Sequence, residues 1–317
     1  MVKTKHRKQK PPKENIVFQG GGVHGIGYVG VIRRLEIMGL RGNFKRIGGA
    51  SIGALVGLLM ALQIPADQIL EEALNLKKKN LTGGAGVFRA LVNFFSYWGF
   101  YDLQSSFTPY LQTILYKYAS VRDLTFKELH ERFGMELHVA VLNRSRARTE
   151  IISVHNHPQM SVIPAIIASM AFPAYFIPVK LPHSNDLYVD GGTNNNFPIY
   201  IFDEEGQANP KTLGVRSVSN RSLLFNQNVE YQPKTPTSLL EYFEGIVSII
   251  VESGQQLYEK PQDAKRTYFM KVPYDMSAMD FNMTVDERLE IYNLGLEGSA
   301  DYLAPAKHIN KRRISSM

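Results

Sequence analysis

The sequence predicts a three-layer α/β/α fold around a central, largely parallel sheet. Two observations carry that expectation. Short apolar strand segments alternate with helical segments from Asn15 to Leu303, the order that builds a mainly parallel sheet covered on both faces. Glycine-rich turns stand where strands give way to helices, at Gly20–Gly25 and at Gly49–Gly53. The chain shows no internal repeat and no interior linker. Residues 14–303 therefore read as one domain between two basic tails, 1–13 and 304–317.

The elements follow in order. Asn15-Ile16-Val17-Phe18 is a short buried strand ending in glycines. From Gly25 to Met38, Ile26, Val29, Val31, Ile32 and Leu35 recur at roughly helical spacing, with Gly39 as the stop. Phe44–Ile47 reads as the second strand, and the apolar, Ala/Leu-rich run Ser51 to Leu62 as a buried helix ending before Pro65. Helices are expected at 66–77, 84–97, 103–118 and 125–132, strands at Glu136–Leu142 and Glu150–Val154, and a short helix at Val162–Met170 ahead of Pro173. Strands at Leu187–Val189 and Leu213–Val218, a long helix at Ser238–Tyr258, a strand at Thr267–Val272 and a final helix at Val285–Tyr302 complete the chain.

Composition narrows the function classes. The 317 residues include 36 Lys+Arg, 29 Asp+Glu and no cysteine, which excludes thiol nucleophiles, disulfides and thiolate metal sites. The net charge of +7 raises the question of an anionic partner. The charge is not spread evenly. The tails carry +6 and +4 without a single acid, which leaves the body at −3. The N-terminal tail lacks the apolar run of about 7–15 residues that a secretory signal needs. The longest apolar stretch, Ile52 to Ile64, falls short of the ~20 residues of a membrane span. These features fit a cytoplasmic or peripheral membrane protein. Basic tails are often merely solvated; docking on an anionic membrane surface is the functional alternative. No base-reading motif accompanies them, so no nucleic acid partner is expected.

The first glycine loop, Gly20-Gly21-Gly22-Val23-His24-Gly25, formally matches a dinucleotide fingerprint. That reading also needs an acid about 20 residues on, for the ribose, and Arg41–Gly49 contains none. The second loop, Gly49-Ala50-Ser51-Ile52-Gly53, is G-x-S-x-G between a strand and a helix, the context of a nucleophile elbow. Gly49 and Gly53 let the backbone fold around the serine, and Ser51 Oγ then stands at a helix N-terminus, where developing negative charge is favoured. A helix N-cap is the plainer role for the same residue. With Ser51 as nucleophile, the amides of Gly20, Gly21, Gly22 and Val23 are candidates for an oxyanion hole, a donor there contributing about 3–4 kcal/mol.

A serine nucleophile needs a base. His308, the last histidine in chain order, sits in the basic tail, a poor place for an oriented imidazole. Asp190 follows the apolar strand Leu187–Val189 and precedes Gly191 and Gly192, which allow close approach. A turn aspartate is the plainer reading.

Taken together, these motifs resemble the patatin-like phospholipase family. Its glycine loop, G-x-S-x-G elbow and D-G-[GA] turn appear in order at Gly20–Gly25, Gly49–Gly53 and Asp190–Gly192. The flanks Ala168–Pro173, Phe176–Pro178 and Asn196–Pro198 are similar as well, and the likeness runs from about Asn15 to Leu303. The resemblance implies an α/β lipid acyl hydrolase with a Ser51–Asp190 dyad and no histidine, working without cofactor or metal through an acyl-enzyme on phospholipids or lysophospholipids. It leaves any activating protein partner open, and it adds an exported effector without a cleavable signal as an alternative localisation. The departure is His24, where the family usually has Arg or Lys; it reads as a tolerated surface residue, or else as a modifier of pH dependence. Residues 81–101, rich in aromatics and holding the single Trp98, read equally as a core helix or as a lid or lipid-facing surface. The competing functional class is a catalytically weak membrane- or protein-binding module on a hydrolase scaffold.

Overall fold

The run Ile16-Val17-Phe18 has no polar member, and with Asn15 it forms β1 (Asn15–Phe18), fully buried. A strand buried on both faces belongs inside a covered parallel sheet. There β1 pairs in parallel with β2 (Arg46–Ala50) on one side and β9 (Thr212–Ser219) on the other. The computed structural model describes residues 12–182, 184–219, 235–237, 260–273 and 280–304, and the single positions 242, 245, 246, 249, 276 and 278.

Among the described residues the sheet has eight strands. Parallel pairing continues outward from β2 to β4 (Glu136–Asn143) and from β9 to β10 (Thr267–Val272). Beyond that core the direction reverses. β5 (Arg148–Ser153) and β8 (Leu187–Asp190) run antiparallel to β4, and β7 (Val179–Lys180) runs antiparallel to β8. The register places β2 and β8 on the same edge of β4. Ala140 pairs with Ala50 of β2 and Val141 with Asp190 of β8, while β5 takes the opposite edge across both. The two strands therefore meet end to end, carboxyl terminus against carboxyl terminus.

Alternation along β1 divides the packing between the two faces. Ile16 and Phe18 join the main core, whereas Val17 packs with Phe197, Ile199 and Phe202 on the other face. The main core takes in α1 (Gly25–Ile37), α2 (Ile52–Ala61), α6 (Leu103–Ala119), α8 (Val162–Met170) and the helix Val285–Gly298, which packs along α1.

The expected elements recur with shifted ends. The second strand lies at Arg46–Ala50 rather than Phe44–Ile47, because Gly48 and Gly49, poor strand formers by propensity, lie inside it. The helix expected at 66–77 is α3 (Ala66–Asn75), followed by a separate short α4 (Lys78–Thr82). The final helix breaks at Ser299. A small parallel pair, β3 (Gly99–Tyr101) and β6 (Ala174–Phe176), gave no sequence signal at its length. The helix expected at 84–97 is α5 (Val87–Tyr97); it rests on β3 through Asn93 and Phe94 and turns Phe88, Phe95 and Trp98 outward. Of the helix expected at Ser238–Tyr258, only positions 242, 245, 246 and 249 are described, and these are helical; the rest of it, and the tails apart from Pro12, Lys13 and Ala304, lie outside the described residues. Lys13 Nζ donates to Pro210 O and Thr212 O, both at 2.8 Å. Among the described residues no helix is long and apolar enough to cross a membrane.

A buried ion cluster ties the second face to the sheet. Arg266 is 4% exposed and donates through Nη2 to Asp203 Oδ2 at 2.8 Å and to Asp263 Oδ1 at 2.6 Å. Removing the cation leaves two carboxylates without their partner, which costs about 3–5 kcal/mol. Arg266→Met is expected to lower the unfolding free energy in urea titrations by about 3 kcal/mol; a loss below about 1 kcal/mol would show that the cluster holds nothing together.

Candidate active site

The turn out of β2 holds Ser51 at φ 53° and ψ −130°, a left-handed conformation rare outside glycine. Such strain costs on the order of 1–3 kcal/mol and persists where the surroundings fix it. Here they do. A Cβ on Gly49 would collide with the carbonyl of Gly53, and a Cβ on Gly53 would collide with Phe18 O. The first turn of α2 thus lies directly on the ends of β1 and β2, and the serine is the residue left standing out.

Ser51 Oγ donates to Asp190 Oδ2 at 2.6 Å, and the other carboxylate oxygen, Oδ1, accepts from the Gly192 N–H at 2.7 Å. Among the described residues no histidine bonds Ser51 Oγ. The backbone of the elbow is anchored as well. Ser51 N–H donates to Ser169 Oγ at 2.9 Å, and the Ser169 hydroxyl donates to Ala140 O at 2.6 Å. Ser169 was legible only as part of a motif flank. Its signal was a polar residue inside the apolar run Val162–Met170, and it is fully buried.

The glycine loop lies beside this pair. Asn196 clamps Gly20 twice: its Nδ2 donates to Gly20 O and its own carbonyl accepts the Gly20 N–H, both at 3.0 Å. The loop then turns through Gly22, at φ 51°, into a short 3-10 turn that starts α1. The candidate oxyanion donors are thereby divided. Gly20 N–H is taken by Asn196 O, and Val23 N–H by Ala278 O at 2.9 Å. The N–H groups of Gly21 and Gly22 have no acceptor among the described residues. Gly191 and Gly192 form the turn after Asp190, and a Cβ on Gly191 would collide with Ala140 O.

His24 corrects the surface reading: it is buried, and its Nε2–H donates to Met276 O at 3.0 Å. Burial lowers its pKa against that bond, so the imidazole is neutral and supplies no charge where the resembling family has a cation. One group of metal-ligand types exists among the described residues, Glu136, His138 and His155. It sits at the start of β4, away from the Val141 end that pairs with Asp190. Glu136 Oε2 is hydrogen-bonded to His155 Nε2 at 2.9 Å and lies 3.5 Å from His138 Nε2.

A cavity of about 330 Å³ extends from Ser51, lined by Leu55, Leu59, Ile69, Leu76, Phe172 and Phe176, and reaches Lys77 and Lys78 at the start of α4. An apolar pocket with a few polar groups at one end suits a long hydrocarbon carrying a reactive head.

Comparison with known proteins points the same way. The family model described as Patatin-like phospholipase matches residues 16–203. An uncharacterized protein of Acanthamoeba polyphaga mimivirus is 24% identical over 296 residues, covering 90% of this chain and 91% of its own. A probable lipid hydrolase of Invertebrate iridescent virus 6 is 27% identical over 192 residues, 59% of this chain and 62% of its own. The crystal structure of VipD from Legionella pneumophila superposes with a TM-score of 0.60 at 16% identity, over 92% of this chain and 67% of that one, a likeness of fold.

Burial pushes Asp190 up to about 7, against the hydrogen bonds from Ser51 and Gly192 that favour its ionised form. An aspartate is near 3.9 when unfolded, so the folded state binds the extra proton between these values. Stability therefore falls as pH rises through that window, by on the order of 4 kcal/mol at most. Asn at this position keeps the shape without the charge. Asp190→Asn should melt above wild type at pH 8, with the gap narrowing as pH falls toward 5; equal melting temperatures at both would mean that the carboxylate carries no burial penalty.

Proposed function

The chain belongs to the patatin-like phospholipase family, whose general activity is lipid hydrolysis, and on that premise we propose that it cleaves the carboxyl esters of phospholipids or lysophospholipids through a Ser51–Asp190 dyad. The observation that carries this reading is the 2.6 Å hydrogen bond from Ser51 Oγ to Asp190 Oδ2 at the head of an apolar cavity.

The chemistry follows from the positions. Ser51 Oγ attacks the ester carbonyl carbon while its proton passes to Asp190 Oδ2. The carbonyl oxygen becomes an oxyanion and takes the N–H groups of Gly21 and Gly22, whose fixed orientation needs no reorganisation as charge develops. The tetrahedral intermediate collapses, the C–O bond to the alcohol breaks, and Asp190 returns the proton to that leaving oxygen. A water then attacks the acyl carbon while Asp190 takes its proton; the bond from that carbon to Ser51 Oγ breaks, Asp190 returns the proton to Oγ, and the fatty acid leaves. The acyl chain lies along Leu55, Leu59 and Ile69 throughout.

A base with a pKa near 7 suits this work, because general-base efficiency is greatest when the pKa lies near the operating pH. The Gly192 N–H performs the orienting part of a third triad member, holding one carboxylate oxygen so that the other faces the serine.

Two outcomes test the proposal. Ser51→Ala and Asp190→Asn should each lower fatty-acid release from phospholipid micelles by at least about 10³-fold, and Ser51→Ala should also abolish labelling by a fluorophosphonate. Substantial turnover in purified Ser51→Ala would sink the dyad, and a wild-type chain that neither labels nor hydrolyses would favour the binding-module alternative. In wild type, kcat/KM should rise with pH along a single limb centred near 7, where Asp190 loses its proton. A flat profile from pH 5 to 8 would remove Asp190 as the base.

A further inference from the structure

α5 presents an apolar stripe to solvent. Phe88, Leu91, Val92 and Phe95 recur at the spacing of one helix face, and Trp98 continues it past the helix end. All are exposed: Phe88 is 82%, Phe95 77% and Trp98 66% exposed. The inner face is already occupied. Ala90 is buried, Phe94 stacks on Phe100 with ring centroids 4.5 Å apart, and Asn93 Nδ2 donates to Phe100 O at 3.2 Å. The inner contacts fix the rotation of the helix, so the outer stripe faces away from the domain. Large contiguous apolar patches on a protein surface mark an interaction site.

The charge around the stripe states what it meets. Between Lys77 and Tyr101 the chain carries Lys77, Lys78, Lys79 and Arg89 and no acid, and all four cations are exposed. Aromatic and aliphatic groups on one face with cations at its border match an anionic lipid surface, where the cations meet phosphate and the rings enter the acyl boundary. A helix of 11 residues is about 16 Å long, too short for a hydrocarbon core of about 30 Å, so it can lie in the interface but not span it. Trp98 adds an independent mark. It closes α5 at φ 64°, a left-handed position where glycine costs least. Its indole stands exposed at the end of the stripe, and indole rings concentrate at the membrane–water interface.

We propose that α5 and the lysines of α4 form the face on which this protein docks to an anionic phospholipid bilayer, with α5 lying in the headgroup plane. The same platform leads to the cavity. Lys77, Lys78 and Leu81 line it, and β3, on which α5 rests, pairs with β6 so that Tyr101 stands opposite Phe176, another cavity residue. Docking on this face brings the cavity wall to the lipid surface. The purpose of the docking rests on the acyl-hydrolase reading; the binding itself does not require Ser51.

Trp98 is the single tryptophan of the chain, so its fluorescence reports on this face alone. The full chain carrying Ser51→Ala is titrated with vesicles of phosphatidylcholine, and with vesicles of phosphatidylcholine mixed with phosphatidylglycerol. On the mixed vesicles the emission should shift to the blue and become shielded from acrylamide, with a much smaller change on phosphatidylcholine alone. The double variant Phe88→Ser/Phe95→Ser, with Ser51 intact, should bind mixed vesicles at least about tenfold more weakly and still turn over a water-soluble short-chain ester as wild type does, which also shows that it folds. The proposal is overturned if vesicles bind without a Trp98 shift, if the double variant binds as wild type does and the basic tails are therefore the dock, or if no binding occurs. It is equally overturned if Trp98 is already blue-shifted and shielded without vesicles, because another segment of the chain or a second copy then covers the face. A Trp98 shift in a wild-type chain that hydrolyses no ester would sink the acyl-hydrolase reading and leave the docking face standing.

Discussion

One edge of β4 governs the site. β2 runs along it in parallel and ends opposite Ala140, while β8 comes from the other direction and ends opposite Val141. Two carboxyl ends are thus brought within one residue step on a single template. Ser51 follows the first and Asp190 closes the second, and their 2.6 Å hydrogen bond spans the seam. In an all-parallel sheet adjacent strand ends lie side by side, with the interstrand spacing of about 4.8 Å between them. The reversal of β8 puts the carboxylate in line with the serine instead. The same seam recruits its supports: Ala140 O accepts the Ser169 hydroxyl that holds the Ser51 amide, and Gly191 passes close over the same carbonyl.

The arrangement carries its own energetic tension. Ser51 keeps a left-handed backbone, and Asp190 is 3% exposed with no cation bonded to it among the described residues. Both features oppose folding by kcal/mol amounts. They are held by a sheet whose central strands are wholly buried and by the dense contact of α1 with the helix Val285–Gly298. Desolvation raises the basicity of the carboxylate, as the proposed dyad requires, and the same desolvation destabilises the ionised fold. Stability and basicity are here two readings of one environment. His24 follows the opposite course: its burial favours the neutral imidazole, so it adds no fixed charge beside the glycine loop.

Charge and apolar surface are divided by region. The net +7 belongs to the tails, while the stretch from Lys77 to Tyr101 adds a local excess of cation beside exposed aromatics. The cavity from Ser51 opens toward that stretch. The two-stranded pair β3–β6 connects its outer surface to the inner wall, and an apolar substrate drawn from one would meet the other without crossing the polar remainder of the molecule.

Much of this was legible in the sequence where physics is local. β1 and the helix Val162–Met170 occur where their apolar runs placed them, and Gly49–Gly53 and Asp190–Gly192 flank the candidate pair because tight strand ends demand residues without Cβ at fixed offsets. The strand Arg46–Ala50 was misplaced because Gly48 leaves room for the side chain of Ile201, a partner distant in sequence that propensity does not register. The burial of His24, the bonds that occupy the amides of Gly20 and Val23, and the support from Ser169 were likewise invisible. Each depends on a partner more than a hundred residues away. The sequence by itself determined which groups are chemically able to act, since residue type and turn geometry are encoded side by side along the chain. Tertiary structure alone decided that β8 runs backwards on β4, because strand direction is set by how distant segments share one edge.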